Sequence, residues 1–233
     1  MNLAIPAPPQ ATLSIRDSDA RFPIHRIYCV GRNFADHARE MGAAVDRGNP
    51  VFFHKPADAV VADGGAVPYP PGTHDLHHEV ELVVALGRDA DGPVAEGDAD
   101  ALVFGYGVGL DLTRRDLQAA AKQKGLPWDT AKGFDASAPV SALVPAASVP
   151  YDPSRRLWLE VNDSRRQDST LDAMVFSVPD ILHALSRLYR LRAGDLVFMG
   201  TPAGVAALQP GDRFRAGIEG LVEFEGHITP TQA

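Results

Sequence analysis

The stretch His77-His78-Glu79-Val80-Glu81-Leu82-Val83-Val84-Ala85-Leu86 (HHEVELVVAL, residues 77–86) decides how the chain is read. Its β-branched residues, and the alternation at its start, predict a strand over 79–86. Side chains alternate along a strand, so Glu79 and Glu81 share one face. After Glu81 the run turns continuously apolar, as in a strand covered on both sides. Acids at the mouth of a buried strand need partners, although two glutamates on a solvent-facing strand would show the same spacing. Asp111 follows the next predicted strand, 101–110 (ALVFGYGVGL), where the chain turns into a helix. Three carboxylates make an oxygen-only set for a hard divalent ion. His77 shares their face, which leaves open a competing iron site of two histidines and one carboxylate. Otherwise His77 and His78 are read as loop histidines at the entrance.

Outward from this stretch, short strands are predicted at 27–30, 51–54, 157–161, 195–199, 213–214 and 221–225. Asn162, Asp163 and Ser164 supply a turn after 157–161. The glycines of 101–110 point to a bulge or a close approach by a ligand or another backbone. Helices are predicted at 33–40 with Asn33 as N-cap, at 113–124 with a Thr113/Asp116 capping pattern, and at 177–190. The last carries a Ser177/Asp180 box, Pro179 in its first turn, and an apolar stripe of Ile181, Leu182, Leu185 and Leu188. No internal repeat or charge shift marks a boundary. The expected architecture is one β-rich α+β domain over 22–229, preceded by a loosely held N-terminal arm over 1–21.

Composition narrows the function. Lys plus Arg number 22 against 30 Asp plus Glu, a formal charge of −8, and no basic stripe favours a nucleic-acid partner. No apolar run approaches the roughly 20 residues needed to span a bilayer. The N-terminus lacks the basic and apolar regions of a secretory signal. Cys29 is the single cysteine, so an intrachain disulfide and a multi-thiolate zinc site are both excluded. A cytoplasmic location fits these facts. The 21 glycines and 19 prolines are dispersed between apolar runs, the pattern of many short strands joined by tight turns.

Other residues offer chemistry. His37 and Glu40 stand three apart on a predicted helix, so they can touch. A carboxylate that orients an imidazole makes a base able to activate water; an exposed helical ion pair has the same spacing. Arg115, Gln118 and Lys122 share one face of the helix after Asp111, with Lys122 expected to face solvent. Lys132, in the loop-like AKGFD, could bind a carboxylate or, if desolvated, form a Schiff base.

Six ordered motifs, YCVGRNFADHARE (28–40), FFHKP (52–56), HHEVELVVALG (77–87), GLDLTRRDLQ (109–118), KGLPWDTAKGFD (124–135) and FMGTPAGV (198–205), resemble the fumarylacetoacetate hydrolase superfamily. The small acylpyruvate hydrolase branch, which includes the fumarylpyruvate hydrolases of gentisate breakdown in aromatic catabolism, is the most similar. The resemblance implies a mixed β-roll and commonly a homodimer. It implies that Glu79, Glu81 and Asp111 hold Mg²⁺ or Mn²⁺; Ca²⁺ also accepts oxygen ligands. It implies that His37 and Glu40 position and deprotonate water. Arg32, Arg115, Gln118 and Lys132 match positions around the substrate and its developing charge. Lys132 and Gln118 are candidates to stabilise the oxyanion. Thr201, with Gly200 beside it, matches a substrate contact, and Lys55 a further one. The larger members carry a fourth, earlier metal-binding aspartate, which this chain lacks. The implied reaction cleaves a C–C bond of an acylpyruvate, fumarylpyruvate giving fumarate and pyruvate. The rivals are an oxaloacetate decarboxylase or broad acylpyruvase, an isomerase, and a binding module without chemistry. A dicarboxylate substrate would need a distal cation, for which His54, Arg32 and Arg39 are candidates.

Overall fold

The computed structural model describes residues 2–40 and 48–231. Strand Val80–Leu86 lies inside an eight-stranded mixed sheet. Across that sheet run Val51–Lys55, Ile27–Gly31, Leu196–Phe198, Val80–Leu86, Val103–Leu110, Ala138–Val140 and Val60–Ala62, and Val144–Pro145 adds to Val103–Leu110. Leu196–Phe198 pairs parallel with Ile27–Gly31, and Ala138–Val140 pairs parallel with Val60–Ala62. The other pairs are antiparallel. A five-stranded sheet, in the order Ser164–Thr170, Arg156–Val161, Arg213–Ile218, Val222–Thr229 and Gly65–Pro68, packs against the first. The result is the expected β-rich α+β architecture, a mixed roll with few helices.

The alternation in Val80–Leu86 is used on both faces. Val80, Leu82, Val84 and Leu86 enter the larger core, shared with residues of the five-stranded sheet such as Leu157, Leu159, Phe214 and Phe224. Val83 and Ala85 enter a smaller core with Leu13, Phe22, Ile27, Cys29 and Phe198. Glu81 belongs to this second face by alternation. The facing strand explains its own glycines. A Cβ at Gly105 would lie 2.3 Å from the Val144 carbonyl oxygen, and one at Gly109 would lie 2.8 Å from the Phe198 ring. Bare backbone lets those neighbours close over the sheet, so the glycines mark close approach.

Several local expectations change. Within the arm, Thr12–Ile15 pairs with Ser18–Pro23 as a hairpin, and Leu13 and Phe22 are buried. Apolar side chains at matched positions hold that part of the arm down. Asn33 does not cap the helix Ala35–Glu40. It is buried, donating from its amide to the Phe176 and Met199 carbonyls and accepting from the Phe176 N–H. Thr113 and Asp116 form no capping box, because Thr113–Arg114 is drawn into a small sheet with Leu76–His77. Asp116 instead accepts from Thr73, His74 and Leu117. The Ser177/Asp180 box forms as expected on helix Val178–Ser186. That helix stops before Leu188, which is 66% exposed. Asn162 and Asp163 take left-handed φ of 50° and 59°, the turn the sequence called for. Among the described residues no helix is long and apolar enough to cross a membrane.

Candidate active site

Glu79, Glu81 and Asp111 offer carboxylate oxygens within 4.8 Å of one another, and all three residues are buried. The sheet places them: Glu81 pairs with Gly109, and the Asp111 N–H donates to the Glu79 carbonyl at 2.9 Å. Three like charges this close need cations. Arg115 Nη2 lies 2.5 Å from Glu79 Oε1, and Lys132 Nζ lies 2.8 Å from Glu79 Oε2. Lys132 also reaches Asp111 Oδ2 at 2.5 Å, and Lys55 Nζ stands 2.8 Å from Asp111 Oδ1. Lys55 directs its hydrogen bonds elsewhere, to the Leu112 and Lys132 carbonyls. Asp111 Oδ1 is therefore a buried oxygen with no hydrogen-bond donor. Glu81 has no ion pair among the described residues and accepts from the Gly200 N–H at 2.7 Å. Burial, then Asp111 and Glu79, push its pKa well above the usual carboxylate range. Glu79 is held well below that range: burial would raise it, but Lys132 and Arg115 outweigh burial. An all-oxygen donor set, with one oxygen that accepts no hydrogen bond and one acid without an ion pair among the described residues, suits a hard divalent cation.

His77 and His78 stay out of this cluster. His78 is buried with Nδ1 2.9 Å from Gln167 Oε1, and His77 Nε2 lies 2.8 Å from Asp75 Oδ1. The two-histidine site does not form, since neither ring lines the carboxylate cavity.

That cavity has about 40 Å³ of free space and is lined by the triad, His37, Arg32, Arg115, Gln118, Lys132 and Thr201, with Phe53, Lys122 and Trp128 at its side. His37 is 7% exposed, and its Nδ1 lies 3.4 Å from Glu40 Oε2. A carboxylate can only accept, so Nδ1 carries the proton and Nε2 keeps a lone pair. Burial holds this imidazole below the usual histidine range against the pull of Glu79 and Glu40. Glu40 is itself held by the Gly204 N–H at 3.2 Å. The turn 200–204 thus reaches both acids, Glu81 through Gly200 and Glu40 through Gly204. Gly200 has φ of 90°, and a Cβ there would lie 2.7 Å from the Asn33 Cβ.

Donor geometry separates the remaining candidates. Lys132 ends the short helix Asp129–Lys132, not a loop, and its ammonium has three acceptors: Glu79, Asp111 and Thr113. Burial would lower its pKa, but Asp111 and Glu79 raise it above the ordinary lysine value. A protonated amine with every N–H engaged is not poised for a Schiff base, and it has no spare donor for an oxyanion. Gln118 differs. Arg115 Nη1 donates to its Oε1 at 2.7 Å, and its NH₂ donates to no acceptor among the described residues. Thr201 accepts from Gln167 Nε2 at 2.8 Å, leaving its own proton to donate. Gln167 was not singled out by sequence. It is 1% exposed, and it also accepts from the Val80 N–H and donates to the Pro202 carbonyl.

Two of the three distal-cation candidates point away. His54 packs against Tyr28 and Tyr189 on a neighbouring groove, because alternation along Val51–Lys55 sends Phe53 and Lys55 to the other face. Arg39 pairs with Asp36 at 2.8 Å in solvent. Arg32 lines the cavity. Lys122 is exposed, as expected, but the residue also lines the cavity, and its ammonium lies 5.2 Å from the Trp128 ring centroid.

Comparison with known proteins gives the family. The family model described as fumarylacetoacetate (FAA) hydrolase C-terminal matches residues 26–229. The mitochondrial oxaloacetate tautomerase FAHD1 of Rattus norvegicus is 46% identical over 198 residues, covering 85% of this chain and 89% of the relative. The crystal structure of fumarylpyruvate hydrolase from Pseudomonas aeruginosa, in complex with Mn²⁺ and pyruvate, is 42% identical with a TM-score of 0.94, covering 98% of this chain and 100% of the other. A candidate fumarylpyruvate hydrolase from Burkholderia cenocepacia is 50% identical with a TM-score of 0.93, covering 100% and 96%. The chain belongs to the fumarylacetoacetate hydrolase family.

Proposed function

We propose that this protein is a metal-dependent hydrolase that cleaves the C–C bond of an acylpyruvate, with fumarylpyruvate as the substrate and fumarate and pyruvate as the products. One observation carries the reading: a carboxylate-oriented imidazole and a buried all-oxygen triad line the same cavity. The Pseudomonas aeruginosa neighbour, a fumarylpyruvate hydrolase holding Mn²⁺ and pyruvate, supports it. Glu79, Glu81 and Asp111 would hold Mg²⁺ or Mn²⁺, which when bound supplies a Lewis acid for the pyruvoyl oxygens. His37 Nε2 takes a proton from water, and Glu40 stabilises the imidazolium formed. The hydroxide adds to the distal ketone. Gln118 and Thr201 line the cavity, and their N–H and O–H would donate to the developing oxyanion. Lys132 and Lys55 hold Asp111 in place, and Lys132 with Arg115 holds Glu79 as a carboxylate. Cleavage then releases the pyruvate enolate, and His37 returns its proton.

A second reading rests on the 46% identical oxaloacetate tautomerase. A tautomerase moves a proton and needs no activated water, so His37 alone would serve as its base. The deciding experiment measures pyruvate release by metal-stripped protein with and without Mg²⁺ or Mn²⁺, on fumarylpyruvate, acetylpyruvate and oxaloacetate. Metal-dependent release from fumarylpyruvate is expected. Enol–keto interconversion of oxaloacetate without pyruvate release would replace hydrolysis by tautomerisation. The same reading carries a cytoplasmic homodimer, to be checked by light scattering.

A further inference from the structure

Four cations line the carboxylate cavity, a fifth, Lys55, pairs with Asp111 behind it, and they are not equivalent. Lys55, Lys132 and Arg115 are each paired with a carboxylate of the triad. Arg32 and Lys122 line the same cavity and form no ion pair or hydrogen bond among the described residues. Arg32 leaves strand Ile27–Gly31 in a left-handed conformation, φ 60°, that disfavours a side chain. Such backbone persists where the surroundings impose it, commonly at ligand sites. Lys122 is steadied by the face of Trp128. Burial pushes its ammonium below the ordinary lysine range, and Arg115 and Arg32 push it further in the same direction. Cations that face one cavity and repel one another are a place for an anion.

Their position on the helix gives the anion's distance. Arg115 opens helix Arg115–Lys124 and touches Glu79. Lys122 lies on the same face seven residues on, two turns or about 10 Å along the axis. An anion held by Lys122 is therefore a chain's length from one held at the triad end. Phe53 and Trp128, with ring centroids 6.1 Å apart, line the same side of the cavity and offer an apolar surface. A flat unsaturated chain suits such a surface.

We propose that Lys122 and Arg32 form a second carboxylate subsite, which selects acylpyruvates carrying a carboxylate at the far end of the acyl chain. The subsite rests on the acylpyruvate reading above and names the class of acyl group. It replaces His54 and Arg39, the other cations the sequence offered.

The test is calorimetric binding of two seven-carbon analogues to Mn²⁺-loaded protein: 2-oxoheptanedioate, with the distal carboxylate, and 2-oxoheptanoate, without it. Wild-type protein is expected to prefer the diacid by about ten-fold, the worth of one charge-assisted hydrogen bond at a half-exposed site. Lys122→Met is expected to abolish most of that preference, and Lys122→Arg to keep it. The ratio of the two affinities within each variant cancels any general loss of site geometry. No diacid preference in wild-type protein, or the same preference in Lys122→Met, overturns the subsite. Failure of hydrolysis reads differently. A diacid preference lost in Lys122→Met, with no pyruvate released from any acylpyruvate, keeps the subsite and discards the hydrolase. Equal kcat/KM for acetylpyruvate and fumarylpyruvate, with equal analogue affinities, discards the subsite and keeps the hydrolase.

Discussion

At the residue scale the proposed base is His37, and its environment makes a signed prediction. Burial lowers its pKa, while Glu79 and Glu40 raise it. The acid limb of the kcat/KM profile is therefore expected below the ordinary histidine value of about 6.5. Replacing Glu40 by Gln removes a charge that favours the imidazolium, so the limb moves to still lower pH even as kcat falls. A limb that moves upward in Glu40→Gln would show that Glu40 does not act on His37. Replacing His37 by Ala is expected to lower kcat by about 10²–10⁴, the usual worth of a general base, with Mn²⁺ affinity retained by calorimetry. Near-normal turnover would remove His37 from the mechanism. Lys132 shows the reverse logic. Its sequence context offers a reactive amine, but Asp111, Glu79 and Thr113 take all its protons and keep it a fixed charge.

At the element scale the site is the meeting of three pieces: the mouth of strand Val80–Leu86, the end of strand Val103–Leu110, and the turn 200–204. Gln167, on strand Ser164–Thr170 of the other sheet, ties the first to the third through His78, Val80, Thr201 and Pro202. Gln167→Leu would leave several of these buried polar groups unpaired, at about 1–3 kcal/mol each. A loss of at least about 2 kcal/mol is expected in chemical denaturation, with the KM raised through the freed Thr201; a loss under about 0.5 kcal/mol would mean that water replaces the side chain. The sequence makes the first two pieces legible, because apolar alternation sets the strand and the acids interrupt it at one end. Helix Val178–Ser186 is legible for a similar reason, its capping box being local. Gln167 is not, since its role depends on a pairing between two sheets that no local pattern encodes. Nor are the N–H donors of Gly200 and Gly204, which have no side chain to signal them. Thr113 and Asp116 mislead because the tertiary partner Leu76–His77 outcompetes a local cap. Asn33 misleads likewise, spent inside on Phe176 and Met199 instead of on its own helix.

At the scale of the whole molecule, the triad joins two neighbouring strands at the edge of the smaller core, so a cation held there couples to the stability of the fold. Glu81 is the acid without an ion pair among the described residues, and its charge is resisted by burial and by its two neighbours. A divalent ion removes that repulsion in the folded state and has no such site in the unfolded chain. At free Mn²⁺ one hundred times its Kd, the linkage is worth about 2.7 kcal/mol. In a chain of this length, each kcal/mol moves Tm by roughly 2–4 °C. Thermal unfolding is therefore expected to shift upward by about 5–10 °C on adding Mn²⁺ and to return on chelation. Glu81→Gln separates the ligand role from a packing role. It keeps the shape and removes the resisted charge, so its metal-free Tm is expected to equal or exceed that of wild-type protein, while the Mn²⁺ shift is lost. A packing role alone would give the opposite pair of results, a lower metal-free Tm with the shift intact. Wild-type protein that shows no shift at saturating Mn²⁺ would leave the triad as an internal charge network, neutralised by Lys55, Lys132 and Arg115, and would take the Lewis acid out of the proposed reaction.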